Sequence, residues 1–214
     1  KSARPTWRHR PRDAPARFNG FAFPSSMAGA VAEIAAPRPP WDESFWQTWS
    51  PGEAQAEVRL DEFLQRVGMY PDARDVPAVE GTSRLSPHLH FGEINPSRIF
   101  EAAQQQGGPG TDKFIAELGW REFAYYVLHH WPGSTTGNFN PKYDAMPWRD
   151  APAQLEAWQR GRTGVPLVDA GMRQLLAEGW MHNRVRMITA SFLVKDLHID
   201  WRRGATWFIR HLAD

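Results

Sequence analysis

A chain of 214 residues is long enough to bury a hydrophobic core, and the absence of cysteine excludes disulfides, thiolate zinc sites and thiol nucleophiles. The formal net charge of +1 restricts any nucleic-acid surface to a local patch, and no apolar run approaches the roughly 18 residues of a membrane span. Eleven tryptophans are unusual, so we expect some of them to do more than pack. Because the first residue is Lys1 and the last lies in a helical pattern, we expect a fragment of a longer chain.

The first part of the chain, residues 1–41, mixes arginines with prolines and an alanine-rich stretch. Such a composition buries little surface and favours extended structure, which predicts an interdomain linker. A DNA-contacting or organelle-targeting role is the alternative, although nothing amphipathic supports it. We therefore predict a linker over 1–41 and a helical domain over 42–214.

Helical periodicity begins after Ser50–Pro51, and no alternating strand pattern follows, so the sequence predicts an all-α fold. We expect Pro51 to occupy the first helical position. The buried stripe of this first helix is predicted to contain Ala56, Leu60, Phe63, Leu64 and Val67.

Several hydrogen-bond donors gather before the short helix that Ser86–Pro87 opens. Thr82, Ser83 and Arg84 precede this helix, and backbone N–H groups at a helix start suit a phosphate. Ordinary helix capping is the competing interpretation, and these residues alone do not decide between the two.

A longer helix is predicted from Thr111 to Trp131, with Thr111 or Asp112 as its N-cap. Glu117, Trp120 and Arg121 share one face of this helix. On a surface such a trio would be an ion pair beside an indole, and in a pocket it would be a stacking platform with an acid next to it. The opposite, core-facing side is predicted to contain Phe114, Leu118, Phe123, Val127 and Leu128.

In the last third of the chain, two helical patterns meet at Gly179, which suits a left-handed C-cap, and a third begins at Asp200. The second pattern is apolar over most of its circumference, which predicts burial. Asn183 and Arg186 are three residues apart on it and so project together. A buried polar pair requires a partner.

Other catalytic motifs are missing from the sequence. The histidines do not form an H-E-x-x-H pair, so we predict no metal site and interpret them, His182 included, as structural or surface residues. The sequence contains no G-x-G-x-x-G, P-loop lysine or G-x-S-x-G motif, which removes the basis for kinase and hydrolase interpretations.

Four stretches in this order resemble the DNA photolyase/cryptochrome family, specifically the helical FAD-binding domain of the cyclobutane pyrimidine dimer photolyases. They are GTSRLSPHLHFGEI from Gly81, ELGWREFAYYVL from Glu117, NPKYDAMPW from Asn140, and residues 161–212. The resemblance extends from Ser50 to the end of the chain. It implies an all-α, truncated domain that lacks an N-terminal α/β antenna domain and C-terminal helices.

The resemblance implies light-driven repair of pyrimidine dimers in DNA, by electron transfer from excited reduced FAD to a dimer flipped out of the duplex. A cryptochrome-type blue-light photoreceptor is the alternative, and a helical DNA-binding module without flavin is a third possibility. Glu117, Trp120 and Asn183 favour repair, because a sensor needs no lesion pocket. The resemblance also implies a monomeric, cytoplasmic bacterial protein without a membrane segment, with a folate or deazaflavin antenna chromophore in the missing N-terminal domain.

The resemblance assigns site residues to three roles. The expected cofactor contacts are Tyr70, Thr82, Ser83, Arg84, Leu85, Ser86, Phe114, Arg121, Arg186 and Asp214, with Arg186 paired to Asp214. The expected DNA contacts are Arg74, Glu117, Trp120, Arg121, Asn183 and Arg184. The expected catalytic residues are Glu117, Trp120 and Asn183 at the lesion, and Trp148 and Trp201 in an electron relay that reduces the flavin.

Overall fold

The computed structural model describes residues 44–214, so the predicted linker lies outside the described residues. Within this range every regular element is helical, which confirms the all-α prediction. The α-helices are α1 (Phe45–Thr48), α2 (Glu53–Arg66), α3 (Tyr70–Ala73), α4 (Ser86–His90), α5 (Pro96–Gln106), α6 (Pro109–His130), α7 (Pro152–Gln159), α8 (Pro166–Glu178), α9 (Asn183–Ser191) and α10 (Trp201–His211). Short 3-10 turns span Val67–Met69, Pro132–Thr135 and Pro141–Tyr143, and a π-helical turn spans Phe192–Asp196.

The first core packs α2 to α5 against the N-terminal half of α6. All the residues predicted for the buried stripe of α2 are buried. The predicted start of that helix is wrong by two residues, because α2 begins at Glu53 and Gly52 is its N-cap. Gly52 has a φ of 113°, which residues with a side chain rarely adopt.

The long helix α6 also differs from its prediction. It begins at Pro109, ahead of the expected caps Thr111 and Asp112. Its N-terminal half packs against α3, α5 and the turn Val67–Met69, which buries Phe114 and Leu118. Beyond that level, Phe123 and Leu128 are exposed, so the predicted core face is wrong for the second half of the helix.

The second core is built from α7 to α10 around the fully buried Trp158, whose Nε1 donates to the carbonyl of Thr189 at 3.0 Å. Gly179 is left-handed and caps α8, and Asp200 caps α10 through the amide of Arg202, as predicted. The predicted burial of α9 on all sides is wrong, since Met187 and Ile188 are exposed.

No helix within residues 44–214 combines the length and apolar character needed to cross a membrane. In the same part of the chain, no group of three or more metal-ligating side chains comes together.

Candidate functional site

A cavity of about 550 Å³ lies between the two cores, within the range typical of ligand sites. The first core contributes α4 and α6 to its wall, and the second contributes α9 and the end of the chain. The lining residues are Ser86, Leu89, His90, Arg121, Ala124, Tyr125, Leu128, Arg186 and Asp214. The structure therefore brings together four of the expected cofactor contacts, namely Ser86, Arg121, Arg186 and Asp214.

The predicted pair of Arg186 and Asp214 forms an ion pair on the cavity wall, with Nη2 at 3.1 Å from Oδ1. The same nitrogen lies 3.3 Å from the carbonyl of Met181, which ties the guanidinium to the start of α9. Nε of Arg186 is buried without a hydrogen-bond partner among the described residues. A buried donor without a partner costs about 1–3 kcal/mol, so the contacts of Nη2 with Asp214 and Met181 have to hold Arg186 in this position.

The stretch before α4 is divided between the cavity and the protein interior. Ser86 faces the cavity and Leu85 is buried in the first core. Ser83 Oγ accepts a hydrogen bond from the amide of Leu85 at 3.4 Å, while Thr82 is half-buried. The hydroxyl of Ser83 thus stabilises the turn before α4 without capping the helix, and Ser86 lies on the cavity wall.

Arg84 points to the second core instead of the cavity. Its guanidinium carbon lies 4.5 Å from the centre of the Trp180 ring, and its Nη1 lies 3.5 Å from Glu178. Its backbone is left-handed, with a φ of 51°, which costs about 1–2 kcal/mol for a residue with a side chain. The side chain of Arg84 therefore links the two cores and does not line the cavity, and its cofactor contact stays a prediction.

Two other expected cofactor contacts, Tyr70 and Phe114, are buried in the first core and do not line the cavity. Their rings pack on each other at 5.6 Å and on Phe63 at 5.5 and 4.6 Å respectively. Burial raises the pKa of Tyr70 to about 12, so its hydroxyl stays protonated. Both aromatic rings complete a packed cluster, which is the physical reason that neither reaches the cavity.

Arg74 was expected at the DNA surface, but its side chain is only 9% exposed. Its guanidinium pairs with the carboxylate of Glu117 and with Asp75 at 3.2 Å. Burial alone would lower the pKa of Arg74, and the hydrogen bond that Arg74 donates to Glu117, together with nearby negative charge, raises it instead. A guanidinium paired in this way holds Glu117 in place and is not free to bind a phosphate.

Trp120 and Asn183, expected at the lesion, are both exposed. The indole of Trp120 is 65% exposed and meets the ring of Phe123 edge-on at 5.8 Å. Asn183 is the first residue of α9, so the expectation of a buried polar pair with Arg186 is wrong for Asn183. Trp120 is therefore free to stack on an aromatic ligand.

Arg184, an expected DNA contact, makes a two-pronged ion pair with Asp75 at 2.9 and 3.0 Å. Hydrogen bonds from Arg184 lower the pKa of Asp75, which stays ionised. Arg121, expected at both cofactor and DNA, lies on the cavity wall, bonded to Glu122 at 2.8 Å and 4.8 Å from the centre of the Tyr125 ring.

His182, which was not among the expected site residues, is one of the most buried polar residues between the two cores. Its Nε2 lies 3.0 Å from the carbonyl oxygen of Arg74, and its Nδ1 accepts the amide of Arg184 at 3.1 Å. Burial lowers the pKa of His182 and favours its neutral form. Histidine is not a typical N-cap residue, so no sequence signal marked this position.

A second cavity, of about 400 Å³, has Trp148 and Trp201 in its wall. Both indoles are half-buried, and Trp201 Nε1 donates to Asn138 Oδ1 at 2.8 Å. The structure thus brings the two expected relay residues to one place near the surface.

These features define a helical domain with a ligand cavity between two packed halves, and three comparisons identify its family. Residues 114–214 match the family model described as the FAD binding domain of DNA photolyase. A deoxyribodipyrimidine photo-lyase of Agrobacterium fabrum is 42% identical over 212 residues, which cover 96% of this chain and 44% of that protein.

Solved structures give the same result. A class III photolyase of Agrobacterium tumefaciens superimposes with a TM-score of 0.81 at 44% identity, covering 86% of this chain and 39% of that one. A Synechocystis cryptochrome superimposes with a TM-score of 0.76 at 32% identity, covering 83% and 39%. The chain belongs to the DNA photolyase/cryptochrome family, and it spans less than half the length of these relatives.

Proposed function

We propose that this protein is a deoxyribodipyrimidine photo-lyase that binds damaged DNA, with 42–214 as part of its FAD- and DNA-binding helical domain and 1–41 as a linker. The observation that carries the proposal is the Arg186–Asp214 ion pair on the wall of a cavity shared by both cores. When bound, FAD would supply the light-driven one-electron chemistry that reopens the cyclobutane ring of the dimer.

The residues of the cavity suit such a cofactor. Arg186 carries a positive charge on the cavity wall, which favours a negatively charged flavin there. Asp214 holds the guanidinium in position, and Ser86 offers a hydroxyl at the start of α4. Arg84, Tyr70 and Phe114 do not line the cavity, and their contacts with the cofactor stay predictions.

At the DNA surface we assign stacking to Trp120 and polar recognition to Asn183 and Glu117. Aromatic side chains that stack on a flipped base typically contribute about 1–3 kcal/mol per base. Arg74 orients Glu117 from the protein interior, while the more exposed Arg184 contacts the phosphate backbone.

Trp148 and Trp201 are proposed to carry electrons from the surface toward the flavin. Both indoles line the same cavity, which supports this role. We expect Trp201→Phe to block light-driven flavin reduction and to spare repair by chemically reduced protein. Photoreduction at the normal rate in this variant, measured by absorbance under blue light, would remove Trp201 from the relay.

The alternative function is that of a blue-light photoreceptor, and the superposition on a cryptochrome favours it as a second candidate. Both functions use the same cofactor cavity, so the lesion residues distinguish them. A photoreceptor would bind dimer-containing and undamaged DNA equally.

The test of repair compares the affinity for DNA with and without a thymine dimer, measured by fluorescence anisotropy at fixed salt. Trp120→Ala is expected to weaken binding of dimer-containing DNA about tenfold or more and to leave binding of undamaged DNA nearly unchanged. Tyr143→Ala, at another exposed aromatic residue, is the matched control. Equal losses on the two DNAs for Trp120→Ala would contradict the stacking role.

A further inference from the structure

The two cores are joined on one side of the cavity by a set of polar contacts. Arg84 reaches across to Glu178 and Trp180, Asp75 pairs with Arg184, and His182 contacts the backbone of Arg74. Among these side chains, His182 is the most deeply buried, with 3% of its surface exposed. A burial of this degree means that both of its ring nitrogens must be satisfied by the protein.

The two contacts of His182 determine its protonation. The carbonyl oxygen of Arg74 can only accept, so Nε2 must carry the hydrogen. The amide of Arg184 can only donate, so Nδ1 must present its lone pair. One neutral tautomer therefore satisfies both partners, and a protonated ring would place two N–H groups against each other at the start of α9.

The contacts of His182 lie next to residues to which we assign functional roles. Arg74 holds the carboxylate of Glu117, which projects from α6 in the first core. Asn183 follows His182 directly, and Arg186 lies one turn further along α9, on the cavity wall. A single imidazole thus connects the residue that orients Glu117 to the helix that carries Asn183 and Arg186.

We infer that His182 is a positioning residue that sets the lesion-recognition groups of the first core, Arg74 and Glu117, against Asn183 on α9. The functional part of this inference rests on the proposed repair function. Its structural part does not, because the contact from Nε2 to Arg74 exists whatever ligand the protein binds. His182 acts through the backbone of Arg74 and is not assigned any contact with cofactor or DNA.

The two contacts can be separated by a pair of substitutions. In His182→Asn, the amide oxygen can still cap α9 as asparagine commonly does, but the side chain is too short to reach Arg74. In His182→Gln, the longer amide can still donate to the carbonyl of Arg74, while the cap of α9 is weakened. Each variant therefore serves as the control for the other.

The first measurement is hydrogen exchange of peptides covering 70–75 and 183–186, which reports local opening without any ligand. We expect His182→Asn to speed exchange in 70–75 and to leave 183–186 protected. The opposite pattern is expected for His182→Gln. Unchanged exchange of 70–75 in His182→Asn, or the same pattern in both variants, would overturn the inference.

The second measurement is the preference for dimer-containing over undamaged DNA. We expect this preference to fall about tenfold in His182→Asn and to persist in His182→Gln, because a lost hydrogen bond to a buried group is of that size. Equal preferences in the two variants would overturn the positioning role. If the unmodified protein shows no preference at all, the proposed repair function fails, and hydrogen exchange still decides whether His182 connects the two cores.

Discussion

The two cores bury apolar side chains in different ways. The first is an almost continuous apolar cluster in which Phe63, Tyr70 and Phe114 pack ring against ring. The second is centred on Trp158, whose indole N–H is tied to the carbonyl of Thr189. Between them, the contacts around His182 are mainly polar.

This difference indicates that the apolar cores and the polar contacts between them have separate roles in folding and in function. Each apolar core fixes its own helices, and neither alone builds the cavity, since Ser86 belongs to the first half and Arg186 to the second. Polar contacts are directional, so they can set the position of the two halves more precisely than apolar packing can. We call the polar contacts of Arg84, Asp75 and His182 between the two cores the junction. We therefore expect substitutions in the cores to change global stability and substitutions in the junction to change ligand binding.

The largest effect on stability is expected from Trp158→Ala, which would empty the centre of the second core. Loss of a large buried aromatic side chain typically costs about 3–5 kcal/mol in the free energy of unfolding. Trp158→Phe keeps most of the side-chain volume and removes the hydrogen bond, so we expect a smaller loss in the free energy of unfolding. Both variants are measured by urea titration. A loss below about 1 kcal/mol for the alanine variant would contradict the central role of this side chain.

A smaller effect is expected from Gly171→Ala at the crossing of α8 and α9. A Cβ at Gly171 would overlap the side chain of Val185, and overpacking of this kind costs about 1–3 kcal/mol. Gly68→Ala is the matched control, because a Cβ there meets nothing within 4 Å. Thermal unfolding should separate the two variants. Similar melting temperatures would show that the two helices can move apart without cost.

The stability that the junction contributes is expected to depend on pH, because His182 titrates. Burial lowers the pKa of His182 in the folded state, so the unfolded chain takes up a proton first as the pH falls below about 6.5. The stabilisation from neutral His182 is therefore complete above that pH and is lost as the pH falls through the folded-state pKa. The charged groups around the ring, Arg74, Asp75 and Arg184, keep their charge over this range.

The measurement is the free energy of unfolding between pH 7.5 and 5.5 for the unmodified protein and His182→Gln. We expect the slope to be shallower in the variant, since glutamine does not titrate. Identical slopes would assign the pH dependence to other histidines.

The smallest effect on stability is expected from Asp75→Asn, which weakens the exposed pair with Arg184 and one contact of Arg74, whose pair with Glu117 remains. Exposed ion pairs contribute only about 0.2–1 kcal/mol, and salt screens them. Glu57→Gln is the matched control, because Glu57 pairs with Arg98 in a similar geometry away from the junction. Both variants should lose little stability in urea titrations, and a clearly larger loss for Asp75→Asn than for Glu57→Gln would show that the contacts of Asp75 contribute more than exposed pairs do.

The helical spacing of apolar residues predicted correctly where helices form, but it did not predict which side chains of α6 are buried. Gly179 and Asp200 mark helix ends through local backbone chemistry, which a sequence displays directly. Phe123 and Leu128 are apolar at helical spacing, yet their exposure depends on which elements pack nearby, and periodicity does not contain that information.

The site shows the same limit. The pairing of Arg186 with Asp214 was predicted from the family resemblance, and the structure contains it. The burial of Arg74 and the turn of Arg84 toward Trp180 depend on how the two cores meet. The dual contact of His182 likewise joins residues that are far apart in sequence, so no local pattern could reveal it.

We propose that the cavity between the cores binds FAD through Arg186. The most direct test is a titration of the protein with FAD, followed by quenching of flavin fluorescence, for the unmodified protein and for Arg186→Gln. We expect saturable binding that Arg186→Gln weakens about 10- to 100-fold, as is typical of a hydrogen bond to a charged group. No saturable binding, or equal affinity in the two proteins, would contradict it.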